Sequence, residues 1–245
     1  MQLAVDIGNS RTKYAVFDRE ELIRSEADKR PADDIIKDCL GQYPKIKSLI
    51  ISSVNHQIDP ESISIPESIR HMVLDHGTPI PIKNNYQSPE TLGHDRIALA
   101  VAVGHRFPGR NALVIDIGTC VTYDLVDRHG TYRGGRISPG LGLRFSSLHT
   151  GTARLPLVEL DKSGHPHLLG KDTASCIQSG VVQGLSNEIS GTIKQFEKEF
   201  KDLKIMLTGG DYKLFDKALK ISIFADPNAV LRGLNQILLY NLSDE

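Results

Sequence analysis

Asp6-Ile7-Gly8-Asn9-Ser10-Arg11-Thr12-Lys13 and, 110 residues later, Asp116-Ile117-Gly118-Thr119-Cys120-Val121-Thr122 place a carboxylate, a glycine and short polar side chains in the same order. That grouping suits a phosphate. Glycine lets the backbone approach an oxyanion, turn N–H groups can point at it, and Asn, Ser and Thr add donors without excess charge. A carboxylate cannot itself bind phosphate, so Asp6 and Asp116 must hold a cation or a water in between. One such turn is common in hairpins. Two, each opening one half of the chain, favour phosphate binding. Between them, Gly93-His94-Asp95-Arg96 sets an acid beside a guanidinium. This pair fits proton transfer with anion pairing, and equally an ordinary acidic residue at a helix N-terminus.

The elements that must position these residues can be read from hydrophobic period. "LAVDIG" and "ALVIDIG" are apolar runs ending in Asp and Gly, as in buried strands that reach a loop. "TKYAVFD" and "TYDLVD" resume β-branched and aromatic residues, as returning hairpin strands. The 110-residue shift pairs Leu3 with Leu113, Thr12 with Thr122 and Val16 with Val126, which predicts a duplication. "LIISSV" (Leu49–Val54) is a further buried strand, and Arg96–Phe107 is predicted helical, ending near Pro108 and Gly109. In the second half "TYRGGRISPG" is predicted as a glycine-rich turn. "LGLRFSSLHTGTARL" is predicted as a helix broken at Gly151, and the stretch from Thr173 to Phe200 as one long helix. "KIMLTGG" is a strand running into paired glycines, "YKLFDKAL" a short helix and "AVLRGLNQILLYNL" a closing helix. With "RFPGRN" as the linker, the chain divides into residues 1–110 and 111–245, two similar α/β domains.

Composition narrows the partners. The net charge of −1 supplies no field to draw in nucleic acid or an anionic membrane. Cys39, Cys120 and Cys176 are odd in number and form no CxxC pair, which argues against a disulfide framework or a zinc site. The nine histidines show neither HxH nor HExxH spacing. No apolar run approaches the length of about 18 residues that a membrane span needs, and no signal-type segment opens the sequence. A cytoplasmic protein with reduced thiols is expected.

Duplicated hairpins of this kind resemble the actin-like, sugar-kinase and Hsp70 superfamily. That resemblance implies two ribonuclease H-like domains with a cleft between them, clamping ATP between the hairpins, and an adenosine-binding turn at Thr208–Gly210. Gly93–Arg96 following Tyr86 narrows it. Together with "DIGNSRTK", "DIGTCVT", "GGRISPGL" and "GKDTASCIQSGVVQG", it makes the chain similar to type III pantothenate kinases nearly end to end. The resemblance implies transfer of the ATP γ-phosphoryl group to pantothenate, giving 4'-phosphopantothenate, the first step of coenzyme A synthesis. It implies that Asp6, Ile7, Gly8, Asn9, Ser10, Arg11, Thr12, Lys13 and Thr119 bind ATP, with Lys13 at the β/γ oxygens and Asp6 ordering Mg²⁺. It implies that Tyr86, Gly93, His94, Asp95, Arg96 and Thr173 bind pantothenate, His94 filling the motif's variable place. Asp95 is the implied general base, Asp116 the implied holder of K⁺ or NH₄⁺, and Thr173 reaches in from a neighbouring subunit of a homodimer. An aspartate is a weak base for an alcohol; proton transfer late in a loose transition state makes it sufficient.

Several residues also admit plainer readings. Tyr86 could pack a loop, Lys13 could be an exposed strand residue, and Thr173 could cap the helix that it opens. Cys120 is expected to pack as a small apolar group. Asn9-Ser10 stands where the family often has Asn-Thr, Arg11 where a neutral residue is frequent, and Asn85 where proline precedes the tyrosine. None of these removes a candidate catalytic group. Two alternatives stay open: a kinase of another small hydroxylated acid or sugar on this fold, and a non-catalytic regulatory relative.

Overall fold

The computed structural model describes residues 1–8, 11–53, 62–160, 166–216 and 223–243. They form two compact units. The first comprises Met1–Gly109, Val126–Gly134 and Asn228–Glu245, and the second Arg110–Leu125 and Gly135–Pro227. No helix among the described residues is long and apolar enough to cross a membrane.

In the first unit the strands are β1 (Gln2–Ile7), β2 (Thr12–Asp18), β3 (Glu21–Asp28), β4 (Ser48–Ser53) and β5 (Arg70–Val73), ordered β3-β2-β1-β4-β5. β1, β2 and β3 pair antiparallel, whereas β4 lies parallel to β1 and β5 parallel to β4. Strand alternation sends Leu3, Val5 and Ile7 to one face, where they pack with Ile35, Ile36 and Cys39 of α1 (Ala32–Gln42). The opposite face carries Ala4, Ala15 and Ile50, all fully buried. Helices α2 (His94–Arg106) and α6 (Ala229–Ser243) pack together in this unit, and both touch its sheet. A Cβ on Gly233 of α6 would stand 1.8 Å from the Ala98 carbonyl oxygen, so the two helices cross with no room for a side chain there. This packing draws the closing helix to the first unit, so a single cut at residue 110 does not describe the division.

The second unit is built on β7 (Ala112–Ile117), β8 (Cys120–Val126), β9 (Thr131–Pro139), β10 (Lys204–Thr208) and β11 (Ile223–Ala225), ordered β11-β10-β7-β8-β9. β10 is parallel to both β7 and β11. Leu113, Ile115, Ile117, Val121, Tyr123 and Leu125 join Val181, Leu185 and Ile189 of α4 (Thr173–Glu199) in one core. α3 (Leu141–Thr150) adds Leu141 and Phe145 and ends at Gly151 as expected; α5 (Tyr212–Asp216) is short.

The segment read as a glycine-rich turn is instead strand β9. Its glycines serve proximity rather than reversal. A Cβ on Gly135 would lie 1.8 Å from the Tyr123 carbonyl oxygen of the neighbouring strand, and Gly134 sits at φ +100°. The first residues of β9, Thr131 and Tyr132, pair in the first unit with β6 (Lys83–Asn84).

Candidate active site

In the first unit, Asp6 and Ile7 are the last residues of β1, and Gly8 donates its N–H to the Arg11 carbonyl at 3.2 Å, closing the turn. Asn9 and Ser10 lie outside the described residues. Arg11 is exposed, and Thr12, buried, begins the return strand. The antiparallel register sets Lys13 directly opposite Asp6, with both side chains on one face of the sheet. Ser52 of β4 is Asp6's partner on the other side. Three polar residues therefore stand in a row across β2, β1 and β4, in a face whose next residues are apolar. Asp6 is only 7% exposed. A carboxylate held there beside the Lys13 strand is a donor suited to Mg²⁺, which prefers one or two carboxylates together with substrate phosphates.

The Gly93–Arg96 segment reaches the same end of the sheet. His94 Nδ1 lies 3.3 Å from the Ser53 carbonyl oxygen, the last residue of β4, and its ring sits 4.9 Å from that of His76. Burial, with repulsion from His76 second, holds the His94 imidazole below its ordinary range. Gly93 precedes the first turn of α2, and a Cβ on it would come within 2.5 Å of Asp95 Oδ1. Glycine thus leaves the space that the carboxylate occupies. Asp95 Oδ1 accepts the Arg96 N–H at 2.8 Å.

Arg96 is 6% exposed and points away from water. Its Nη2 donates to the Tyr132 hydroxyl at 2.9 Å, and its guanidinium carbon lies 5.7 Å from the centre of the Tyr86 ring. The Tyr86 and Tyr132 rings are 6.0 Å apart, and Asn85 donates its N–H to the Tyr132 carbonyl at 3.2 Å. Tyr86 therefore lies against Arg96, a neighbour that the sequence did not indicate. Tyr132, which sequence reasoning passed over, completes the pocket for the guanidinium. Its signal was masked by the glycines that follow it.

In the second unit, Asp116 ends β7 beside Ile117, and Gly118 donates its N–H to the Cys120 carbonyl at 3.0 Å. Asp116 faces Thr208 of β10. Gly209, at φ +99°, packs directly against its carboxylate: a Cβ on Gly209 would stand 2.4 Å from Asp116 Oδ1, and one on Gly118 3.6 Å away. The Ile117 carbonyl oxygen lies equally close to the Gly209 Cβ position, and carboxylate and carbonyl oxygens are the ligand types that a hard cation takes. Thr119 is exposed, with its carbonyl accepting the Gly140 N–H at 3.0 Å. Cys120 is exposed too, which corrects the expectation that it packs: at the first position of the returning strand it points away from the core. Thr173 is not the helix cap. Asp172 takes that place, accepting the Ser175 N–H at 2.9 Å in a capping box, and Thr173 is the exposed first residue of α4. It borders an open groove with Leu148, Leu155 and Ile177.

Solved structures with this architecture define the class. A candidate Baf family transcriptional activator from Campylobacter jejuni superposes with a TM-score of 0.64 at 21% identity, over 98% of this chain and 99% of that one. A candidate N-acetylmannosamine kinase from Listeria monocytogenes gives 0.55 at 13% identity, over 98% and 99%. The fold is that of the two-domain actin-like ATPases and sugar kinases. The profile of the type III pantothenate kinase family matches residues 2–195, and a relative of that name from Bacteroides fragilis is 42% identical over 243 residues, covering 98% of each chain. The chain belongs to the type III pantothenate kinase family.

Proposed function

We propose that this chain transfers the γ-phosphoryl group of ATP to the primary hydroxyl of pantothenate, the first step of coenzyme A biosynthesis, with Asp95 as general base. The observation that carries this reading is the His94–Ser53 contact, which sets Gly93–Arg96 at the sheet end where Asp6, Lys13 and Ser52 stand in register. A phosphate-type turn and an acid–guanidinium pair, far apart in sequence, converge there.

The Gly8 turn and Lys13 take the β/γ-phosphates, and Asp6 orders the Mg²⁺ that arrives with ATP, whose charge offsets that of the phosphates. Ile7 and Thr12 shape that turn, and Asn9, Ser10 and Arg11 belong to its phosphate-binding stretch. Asp95 takes the hydroxyl proton as the bond to phosphorus forms. Arg96, buried against Tyr86 and Tyr132, pairs with the pantothenate carboxylate. Positioning and charge dominate such a transfer, because the loose transition state leaves little covalent work to the protein.

Three further roles belong to the same proposal. Asp116 holds K⁺ or NH₄⁺, supported by the Ile117 carbonyl oxygen that stands near its carboxylate beside Gly209, while Thr119 contacts ATP. Thr173 completes the pantothenate site of a second copy in a homodimer, supported by Leu168 and Leu169, which are 79% and 78% exposed just before α4. The protein works in the cytoplasm.

Purified chain with Mg-ATP, K⁺ and pantothenate should release ADP and be nearly silent with Na⁺; no pantothenate-dependent release under any monovalent cation overturns the reading. Asp95→Asn should lower kcat by at least about 10²-fold, and a variant retaining full kcat removes the base assignment. Tyr132→Phe should raise the KM for pantothenate by about tenfold, the worth of a hydrogen bond to a charged group, while the KM for ATP stays put. Sedimentation velocity tests the dimer.

A further inference from the structure

The second turn has little core of its own. Thr119 and Cys120 are exposed, so the turn's shape must come from what abuts it. On one side Asp211 donates its N–H to the Ile117 carbonyl at 3.0 Å. On the other, Gly140 donates to the Thr119 carbonyl at 3.0 Å and fits so closely that a Cβ would stand 2.1 Å from the Gly118 carbonyl oxygen. Gly140 follows Ser138 and Pro139, and those two residues are tied down by a linked pair of side chains, Glu188 and Arg144. Glu188, midway along α4, accepts the Ser138 hydroxyl at 2.5 Å and the Tyr123 hydroxyl at 3.0 Å through Oε1. Through Oε2 it accepts Arg144 Nη2, while Arg144 Nε donates to the Pro139 carbonyl at 2.7 Å.

A single carboxylate thus joins β8, β9, α3 and α4. Burial pushes the Glu188 carboxyl up, but the bonds from Ser138, Arg144 and Tyr123 outweigh it and hold the group below its usual range, so it is ionised at neutral pH. Replacing a whole buried ion-pair network with well-packed apolar side chains is often neutral or stabilising, so the network need not be there for stability, although removing one partner alone is costly. What such a network does supply is a fixed geometry, and the segment that it fixes is the one pressed against Gly118-Thr119.

Resting on the reading that this turn receives ATP phosphate, we infer that Glu188 is a positioning residue for nucleotide binding, acting through Ser138, Arg144 and Pro139 to hold Gly140 against the Gly118-Thr119 turn. Preorganisation of this kind shows as ligand affinity, since a loosened turn must be reordered by the ligand.

The test is calorimetric titration of the full chain with Mg-ATP, together with initial rates. Glu188→Ala should weaken ATP binding by about tenfold, the range expected for losing a charge-assisted bond, while the KM for pantothenate moves less than twofold. Glu188→Gln, which keeps an acceptor for Ser138 and Tyr123 but not the charge opposite Arg144, should fall between the alanine variant and wild type. A folded Glu188→Ala with unchanged ATP affinity, or with ATP and pantothenate weakened alike, overturns the inference. Should the alanine variant fail to fold, the glutamine variant decides: ATP selectively weakened supports the role, and ATP unchanged overturns it. A wild-type chain that binds Mg-ATP but shows no pantothenate-dependent turnover sinks the kinase reading alone, and the titrations still judge Glu188.

Discussion

The two Asp-Ile-Gly turns share a plan and obtain their properties from different places. The first takes its charge from its own strands: Lys13 stands opposite Asp6 in the ladder, and Arg11 follows in the turn. Among the described residues, a Cβ on Gly8 would meet the Arg11 carbonyl, at 3.1 Å. The second has no cation between Asp116 and Thr122 and is formed by contact. Gly140 abuts its backbone, and Gly209 comes within reach of both Asp116 and the Ile117 carbonyl. Of the two copies of the hairpin, one carries cationic side chains, and the other carries none and is shaped by close glycine contacts.

That contrast can be broken at glycines and at charges. The largest effect is expected from Gly209→Ala. It forces an alanine to φ +99° and puts its Cβ 2.4 Å from both Asp116 Oδ1 and the Ile117 carbonyl oxygen. The cost should be about 3 kcal/mol or more, read as a large fall in Tm; a variant as stable as wild type refutes the shape argument. Lys13→Met should come next, lowering kcat/KM for ATP by about 10²-fold, the scale of losing one donor aimed at developing charge. Its Tm should hardly move, because the residue lies at the end of its strand. A loss of stability without a loss of rate would make Lys13 a structural residue. Gly8→Ala should cost less than about 1 kcal/mol, because a Cβ there would stand 3.1 Å from the Arg11 carbonyl, a contact relieved by a shift of a few tenths of an ångström. A Gly8→Ala variant as unstable as Gly209→Ala would erase the distinction between the turns.

Where the sequence was legible, long-range period carried the signal. Both hairpins, α2, α4 and α6 follow from apolar runs whose spacing admits one reading. β9 escaped because Gly134 and Gly135 look like turn residues, whereas their role depends on Tyr123 of a neighbouring strand that no local window contains. β6, two residues long, is a strand only through its pairing with β9. For the same reason Tyr132 could not be placed beside Arg96: its role comes from register. The motif residues Asp6, Lys13, Asp95 and Arg96 were visible as types and spacing, but nothing in the sequence distinguishes two of their neighbours, Ser52 in register with Asp6 and Ser53 against His94. Helix α6 joins the first unit through the bare backbone at Gly233, and a linear division of the chain has no means of showing that.

The central claim is that the acid–guanidinium pair and the charged turn of the first unit act on pantothenate. Mass-spectrometric identification of the product tests it most directly, with purified chain, Mg-ATP, K⁺ and pantothenate. The account predicts 4'-phosphopantothenate in equal amount to ADP. ADP formed without that product, or phosphorylation of another hydroxylated acid or sugar while pantothenate is left intact, would contradict it.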